Sequence, residues 1–174
     1  MVPDFVFDLL HQIDRGGGTV VGTTEPITNP EQRDRYVVRS LMEEAITSSQ
    51  LEGAVTTREV AKKMLAEGRK PRDRSERMIV NNYVTMRRIV ELKDRPLTAE
   101  MVFQIHREIS EDALDIADGA GRFRREEENI NVSDMEGRVF HQPPPAGELP
   151  SRMQAMCDFA NGMTPGVFIH PVIR

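Results

Sequence analysis

Residues 48–59, SSQLEGAVTTRE, contain the point where one predicted helix ends and the next begins. Gly53 can close the first helix, because glycine adopts the left-handed backbone conformation at little cost. Thr56 and Glu59 match a capping box, so the second helix is predicted to begin with Thr56 as its N-cap. Glu52 is unfavourably placed in the last turn of the first helix, where a negative charge costs about 0.3–1 kcal/mol at the surface. Either this charge is solvated, or Glu52 meets a cation from elsewhere.

Helices are predicted along most of the chain from cap signals and from apolar residues at helical spacing. Their predicted starts are near Pro30, at Thr56, Asp73 and Thr98, and at residue 150, and this last helix ends at Gly162. Residues 170–174 are predicted to be the first turn of one more helix. The residues predicted to face inward are Tyr36, Val37, Leu41, Ala45, Ile46, Met78, Ile79, Tyr83, Met86, Ile89, Val90, Val102, Ile105 and Ile109. In the weakly patterned N-terminal segment, burial is expected for Phe5, Phe7, Leu9 and Leu10. The stretches RGGGTV and EPITNPEQ are typical of turn-rich linkers.

One β-hairpin is predicted at about residues 128–142. The β-prone segments NINVSD and RVFHQ lie on either side of DMEG, which is turn-like. Prolines at 143–145 stiffen the chain that leaves the hairpin. The predicted fold class is therefore mainly α, with one β-hairpin.

The composition is that of a soluble globular protein. Of its 174 residues, 39% are hydrophobic and 29% are charged. No apolar run approaches the roughly 18 residues that span a membrane, and the acidic N-terminus lacks the basic segment of a signal peptide. A net charge of −5 disfavours broad nucleic-acid binding, and the single cysteine, Cys157, fits a reducing cytoplasm. The basic run at 67–77 is interpreted as a solvated loop and helix start, with a partner surface as the alternative.

The residue types of common catalytic and metal sites are scattered in this sequence. One cysteine and four histidines lack the spacing of a zinc site. His11 and His106 are interpreted as surface or packing residues of helices, and His141 as a surface residue of the hairpin. The stretch DGAGRFRR at 118–125 is a candidate phosphate site, because glycine N–H groups and guanidinium groups bind phosphate. The alternative is a glycine-containing loop that leads into the hairpin.

Three motifs occur in an order that resembles the Fic family, whose enzymes transfer AMP from ATP to a hydroxyl of a target protein. The resemblance covers residues 33–174. SSQLEG matches the family's inhibitory motif of Ser or Thr, three variable residues, Glu, and Gly or Asn. The segment GRFR at 121–124 is similar to the Gly-x-Phe/Tyr-Arg segment that precedes the family's hairpin flap. The hairpin then leads through the prolines and a helix to HPVIR at 170–174, which resembles the start of the helix before the active-site loop.

The family's catalytic signature does not occur in these 174 residues. That signature is His-Pro-Phe-x-Asp/Glu-Gly-Asn-Gly-Arg, followed by a second arginine. DGAGR at 118–122 is similar to its second half, but Leu114 stands where the histidine is required. From the order of the motifs, the signature is expected beyond Arg174, and the C-terminal catalytic helices of the Fic-type bundle are expected to be missing here. No catalytic residue is therefore assigned, and the chain alone is predicted to be inactive.

The resemblance implies a regulatory role for the helix end at 48–53. Glu52 would pair with the signature's second arginine, which otherwise holds the γ-phosphate of ATP, and would so block catalysis. Ser48 would support the placement of the motif, with a plain helix-face serine as the alternative, and Gly53 would let the chain turn. The resemblance also implies ATP and Mg²⁺ as cofactors, with their main ligands outside this chain and no metal site within it.

The hairpin would correspond to the family's flap, which captures an extended target segment through backbone hydrogen bonds. Its binding edge is expected at Ile130, Asn131, Val132 and Ser133, with a purely structural hairpin as the alternative. The implied partners are ATP and a protein substrate with a Ser, Thr or Tyr hydroxyl. No membrane or nucleic-acid partner is expected for this segment, and a homo-oligomer is left open.

These expectations divide the chain into a leader at 1–32, an inhibitory helix region at 33–66 and the front part of a Fic domain at 67–174. The leading hypothesis is the N-terminal portion of an autoinhibited, cytoplasmic Fic protein. The alternative is a non-catalytic regulatory or interaction module that docks on a catalytic Fic partner. A third hypothesis, a helical nucleic-acid binder, depends only on the basic run at 67–77.

Overall fold

The computed structural model describes residues 3–16, 29–116, 118–128, 130–166 and 168–174. Regular structure in these residues is mainly helical with one small antiparallel sheet, so the predicted mainly α class with a hairpin is confirmed. The helices are α1 (Asp4–Gly16), α2 (Pro30–Leu51), α3 (Arg58–Glu67), α4 (Arg74–Leu92), α5 (Ala99–Ser110) and α6 (Leu149–Ala160). The strands are β1 (Val132–Ser133) and β2 (Val139–His141), and a short 3-10 helix, Ala146–Glu148, precedes α6. None of the described helices has the length and apolar character needed to cross a membrane.

The chain forms two compact units. One comprises Leu41–Phe168, and the other comprises Met1–Ser40 together with Ile169–Arg174. Within the latter, Nε2 of His170 lies 3.0 Å from Oδ2 of Asp14, so a ring–carboxylate contact joins α1 to the C-terminal segment. The helix end at 48–53 and the hairpin both lie in the unit Leu41–Phe168.

The N-terminal helix α1 exposes most of the apolar residues for which burial was predicted. Phe5, Phe7 and Leu9 are 66%, 58% and 50% exposed, so their predicted burial is wrong, whereas Leu10 is buried as expected. Phe5 and Leu9 lie four positions apart and so share one face of α1, and both this face and Phe7 are exposed. His11 is exposed, as interpreted from the sequence. Most of the predicted linker, residues 17–28, lies outside the described part of the chain.

Helix starts follow the predicted caps with one exception. Side chains of Asp73 and Thr98 accept the N–H group three residues later at 2.8 and 3.1 Å, which confirms both caps. The capping box at Thr56 is wrong by one residue. Thr57 is the N-cap of α3, and its Oγ1 accepts the N–H of Val60 at 3.4 Å. Thr56 belongs to the preceding turn and is only 9% exposed.

Apolar faces are buried over only part of their predicted length. Buried or half-buried, as predicted, are Leu41, Ala45, Ile46, Met78, Ile79, Tyr83, Met86, Val102 and Ile105. Exposed, against the prediction, are Tyr36, Val37, Ile89, Val90 and Ile109. Apolar spacing identifies a helix face, but that face becomes buried only where another element covers it.

The core lies where the end of α2 meets α3 and α4. It consists of Ile46, Ala54, Ala61, Met64 and Ile79. Ala54 directly follows Gly53, so the segment that leaves α2 is anchored in the core. The single cysteine of the chain, on α6, is 2% exposed.

The predicted hairpin is formed by β1 and β2, which pair antiparallel with an irregularity between Val132 and Ser133. At its turn, the carbonyl of Asp134 accepts the N–H of Gly137 at 3.1 Å, and Oδ1 of Asp134 accepts the N–H of Arg138 at 2.7 Å. Gly137 has a φ of 81°, the left-handed conformation that such hairpin loops require. The sequence DMEG therefore forms the turn that its composition predicts.

Candidate functional site

The C-terminal end of α2 has the two backbone hydrogen bonds of a Schellman motif. The N–H of Ala54 donates to the carbonyl of Ser49 at 2.8 Å, and the N–H of Gly53 donates to the carbonyl of Gln50 at 3.1 Å. Gly53 has a φ of 98°, so it occupies the left-handed position of the motif. Glu52 is therefore the C-cap residue, directly before the turn, as the sequence predicts.

Two side chains hold the segment that follows this helix end. Nε2 of Gln50 donates to the carbonyl of Thr56 at 2.8 Å. Oγ of Ser75, in the first turn of α4, accepts the N–H of Val55 at 3.1 Å. Ala54, directly before these two residues, is 6% exposed and packs in the core. The path of the chain between α2 and α3 is therefore fixed at three successive points.

The side chain of Glu52 is exposed on this fixed segment. Its neighbours Leu51 and Val55 are 83% and 87% exposed. No ion pair among the described residues involves Glu52. Oγ of Ser48 donates to Oε1 of Glu44 at 3.2 Å, so the hydroxyl contacts the helix face and not the turn. Glu52 is thus accessible to a cation carried by another segment.

A second ordered feature is the loop at 118–128, which leads from α5 to the hairpin. Nδ1 of His106, on α5, accepts the N–H of Gly121 at 2.8 Å. Because Nδ1 accepts this bond, the neutral ring carries its proton on Nε2. The guanidinium of Arg107 donates to the carbonyl of Gly121 at 3.4 Å. Phe103 and Phe123 pack edge to face with ring centroids 4.8 Å apart, so α5 holds this loop by both polar and aromatic contacts.

Arginine–carboxylate pairs close the same loop. The guanidinium of Arg122 binds both oxygens of Glu128, at 2.9 and 2.6 Å, and also binds Asp118. Hydrogen bonds from Arg122 lower the pKa of Glu128 from its usual 4.5 to about 2. The Arg125 guanidinium, 2.5 Å from Asp118, is the main cause of the lowered pKa of that carboxyl, with Arg122 second. The loop is therefore held by the bidentate pair of Arg122 with Glu128 and by the carboxylate of Asp118, which binds both Arg122 and Arg125.

The groups proposed from sequence as a phosphate site are engaged within the protein. The N–H of Gly121 binds His106, and the guanidiniums of Arg122 and Arg125 bind carboxylates. Arg124 donates to the carbonyl of Pro144, which ties the loop to the proline segment after the hairpin. This arrangement agrees with the alternative interpretation of residues 118–125, a glycine-containing loop that leads into the hairpin.

The predicted flap residues lie on an exposed hairpin. Ile130 and Val132 are 47% and 57% exposed, and on the return strand Phe140 is 65% exposed. Ser133 is also exposed, and Asn131 is half-buried. Because the sheet has two strands, the outer edge of β1 faces away from β2. His141 pairs across the sheet with Val132 and is exposed, which agrees with its interpretation as a surface residue.

Within the described ranges, no three His, Cys, Asp or Glu side chains come together as a metal site. In the loop that resembles a phosphate site, the N–H of Gly121 and the guanidinium of Arg124 bind groups of the protein itself.

Comparison with family models, with curated proteins and with solved structures finds no match to this chain. Ser48, Glu52 and Gly53 lie together at the end of α2, and the predicted flap residues lie on the hairpin.

Sequence reasoning missed the residues that fix these two sites. Gln50 and Ser75 bind the turn after Glu52, and His106 binds the loop before the hairpin. Each contact joins residues of different elements or of a turn, so the local spacing used for prediction carries no signal of it. A histidine 15 positions before a glycine-containing loop has no distinguishing pattern in one sequence.

Proposed function

We propose that residues 1–174 are the front portion of an autoinhibited Fic protein that transfers AMP from ATP to a hydroxyl side chain of a target protein and releases pyrophosphate. In this proposal Glu52 blocks catalysis by pairing with an arginine of the catalytic signature, which lies outside these residues. The hairpin is the flap that receives the target segment. ATP and Mg²⁺ are bound mainly by groups outside this chain.

The exposed position of Glu52 at the C-cap of α2 is the observation that carries the proposal. A carboxylate there is close to the negative end of the helix, so a cation partner would remove an unfavourable interaction. The carboxylate stands on a segment anchored in the core, and its side chain is free to reach outward. An exposed carboxylate on an anchored segment supports the inhibitory role proposed for Glu52.

The hairpin supports the same proposal through its exposed edge. An extended peptide can add to the outer edge of β1 through backbone hydrogen bonds, and the neighbouring apolar side chains can contact it. The loop before the hairpin is held to α5 by hydrogen bonds from Gly121 to His106 and from Arg107 to Gly121.

The proposal predicts that Glu52→Gly raises AMP transfer by the naturally encoded protein. Loss of the charge-assisted pair between Glu52 and the arginine, worth about 1.5–3 kcal/mol, corresponds to a roughly ten- to hundredfold increase in AMP transfer. The measurement is the intact mass of the protein after incubation with ATP and Mg²⁺, in which each AMP transferred to one of its own hydroxyl groups adds one adduct. Glu67→Gly is the matched control, because Glu67 also precedes a left-handed glycine at a helix end, Gly68.

Unchanged labelling of the Glu52→Gly protein would contradict the inhibitory role. A mass of 19.7 kDa without any adduct would favour the second hypothesis, a regulatory module that docks on a catalytic partner. A larger mass with adducts in Glu52→Gly, but not in Glu67→Gly, would support the autoinhibited enzyme.

A further inference from the structure

The turn after Glu52 is held from the helix side by one side chain. Nε2 of Gln50 reaches across the turn to the carbonyl of Thr56 at 2.8 Å, well within hydrogen-bonding distance. Thr56 is 9% exposed, so little water is available to replace this donor. The bond closes a ring around residues 51–55, and Glu52 lies within that ring.

We infer that Gln50 is a positioning residue for the inhibitory carboxylate, an inference that rests on the proposed function. By joining α2 to the residue before the N-cap of α3, Gln50 sets the direction in which Glu52 leaves the helix. Its own side chain need not touch the nucleotide or the arginine. Gln50 occupies one of the variable positions between Ser48 and Glu52, so the motif itself does not assign it this role.

Contacts on the opposite side of the turn would remain in a variant that lacks the Gln50 side chain. Ser75 still binds the N–H of Val55, and Ala54 remains in the core. Removing the Gln50 donor should therefore loosen the turn without unfolding the helix. The carboxylate would then sample more directions, and the fraction of time in which it blocks the arginine would fall.

The first test measures the turn itself. Gln50→Met removes the donor and keeps a long, helix-compatible side chain, whereas Gln50→Lys keeps a donor. Hydrogen exchange of the naturally encoded protein is followed in a peptide that covers residues 51–57. The amides of Gly53, Ala54 and Val55 are expected to exchange about two- to tenfold faster in Gln50→Met, the factor that loss of one hydrogen bond gives. Gln50→Lys should restore slow exchange.

The matched control is Gln154→Met on α6. Nε2 of Gln154 also makes a 2.8 Å hydrogen bond, to Asp158, on an exposed helix face. This substitution should leave exchange in residues 51–57 unchanged. Equal exchange in Gln50→Met and wild type would overturn the inference, whatever the activity shows.

The second test separates positioning from a general effect on folding. Gln50→Met should raise AMP labelling several-fold, but less than Glu52→Gly, and Gln50→Lys should return it toward the wild-type level. The double variant should label no more than Glu52→Gly alone, because Gln50 acts only through that carboxylate. Additive increases in the double variant would overturn the positioning role.

Failure of the inference and failure of the proposed function give different results. If Glu52→Gly labels strongly and Gln50→Met does not, the inference is overturned and the proposed function stands. If neither variant labels, the proposed function fails, and the role of Gln50 in inhibition fails with it.

Discussion

At the scale of single residues, Gly121 is constrained both by its backbone and by a neighbouring side chain. It has a φ of 70°, and an added Cβ would lie 2.2 Å from Cγ of Arg107. Gly68, at the end of α3, has a similar φ of 61°, but an added Cβ there would meet nothing within 4 Å. The two glycines therefore separate the cost of a left-handed backbone from the cost of close packing.

Gly121→Ala is expected to lower the free energy of unfolding by more than Gly68→Ala does. The left-handed backbone costs an alanine about 1–2 kcal/mol at either position. At Gly121 the overlap with Arg107 adds about 1–3 kcal/mol, because the arginine must leave its present contact. Urea denaturation of the two variants measures the difference. An equal decrease in the free energy of unfolding for the two variants would show that Arg107 moves aside without an energetic cost.

At the scale of elements, one residue joins α6 to the segment that precedes α5. Oδ1 of Asn161 accepts the N–H of Leu97, and Nδ2 of Asn161 donates to the carbonyl of Leu97, both at 2.8 Å. The two residues are 64 positions apart and half-buried. One side-chain amide thus satisfies both backbone groups of a distant residue.

Asn161→Ala should therefore lower the free energy of unfolding by about 1–3 kcal/mol, because it leaves both backbone groups of Leu97 without their partner. Gln154→Ala on the exposed face of α6 also loses a side-chain hydrogen bond and should change stability by less than about 0.5 kcal/mol. Urea denaturation measures both. Similar values for the two variants would contradict a special role of the Asn161 contact.

Helix boundaries were predictable where the signal is local. The caps at Asp73 and Thr98 are confirmed because a side chain that accepts an N–H three residues later is a property of a few adjacent residues. The cap at Thr56 was misplaced because two threonines follow each other, and tertiary contacts decide between them. Thr56 is nearly buried with its carbonyl bound by Gln50, which leaves Thr57 at the helix end.

At the scale of the whole molecule, four carboxylates of the unit Leu41–Phe168 have lowered pKa values because each binds basic side chains. For Glu43 the main cause is Lys62, for Glu76 it is Arg69, for Asp118 it is Arg125, and for Glu128 it is Arg122. A carboxylate with a lowered pKa binds protons less tightly in the folded protein than in the unfolded chain. Protonation therefore favours unfolding, and acid is expected to destabilise the fold.

The free energy of unfolding is expected to fall as the pH drops from about 4.5, the usual pKa of a glutamate, toward 2, the pKa of Glu128. Glu128→Gln should make this decline shallower, because the variant no longer has that proton to bind. Glu127→Gln, at the exposed neighbouring residue, is the control and should retain the wild-type slope. Urea denaturation at several pH values between these limits measures the slopes. Identical slopes in wild type and Glu128→Gln would contradict the prediction.

The candidate site was predictable in part for the same physical reason as the helices. Glu52 and Gly53 were placed correctly because a helix end followed by a left-handed glycine is encoded in adjacent residues. The anchoring of that end by Ser75 and the binding of Gly121 by His106 depend on how distant elements pack. Burial of Phe5 was predicted wrongly since the spacing of its neighbours indicates apolar content but not which face a partner covers.

The burial of Cys157 makes the chain convenient for site-specific labelling. This thiol is the only one in the sequence and is 2% exposed, so thiol-reactive dyes would be slow to reach it in the folded protein. A cysteine introduced at Val55, which is 87% exposed and three positions from Glu52, would carry nearly all of the label. A fluorophore placed there would report directly on the surroundings of the helix end, in the native protein and without removal of any other residue.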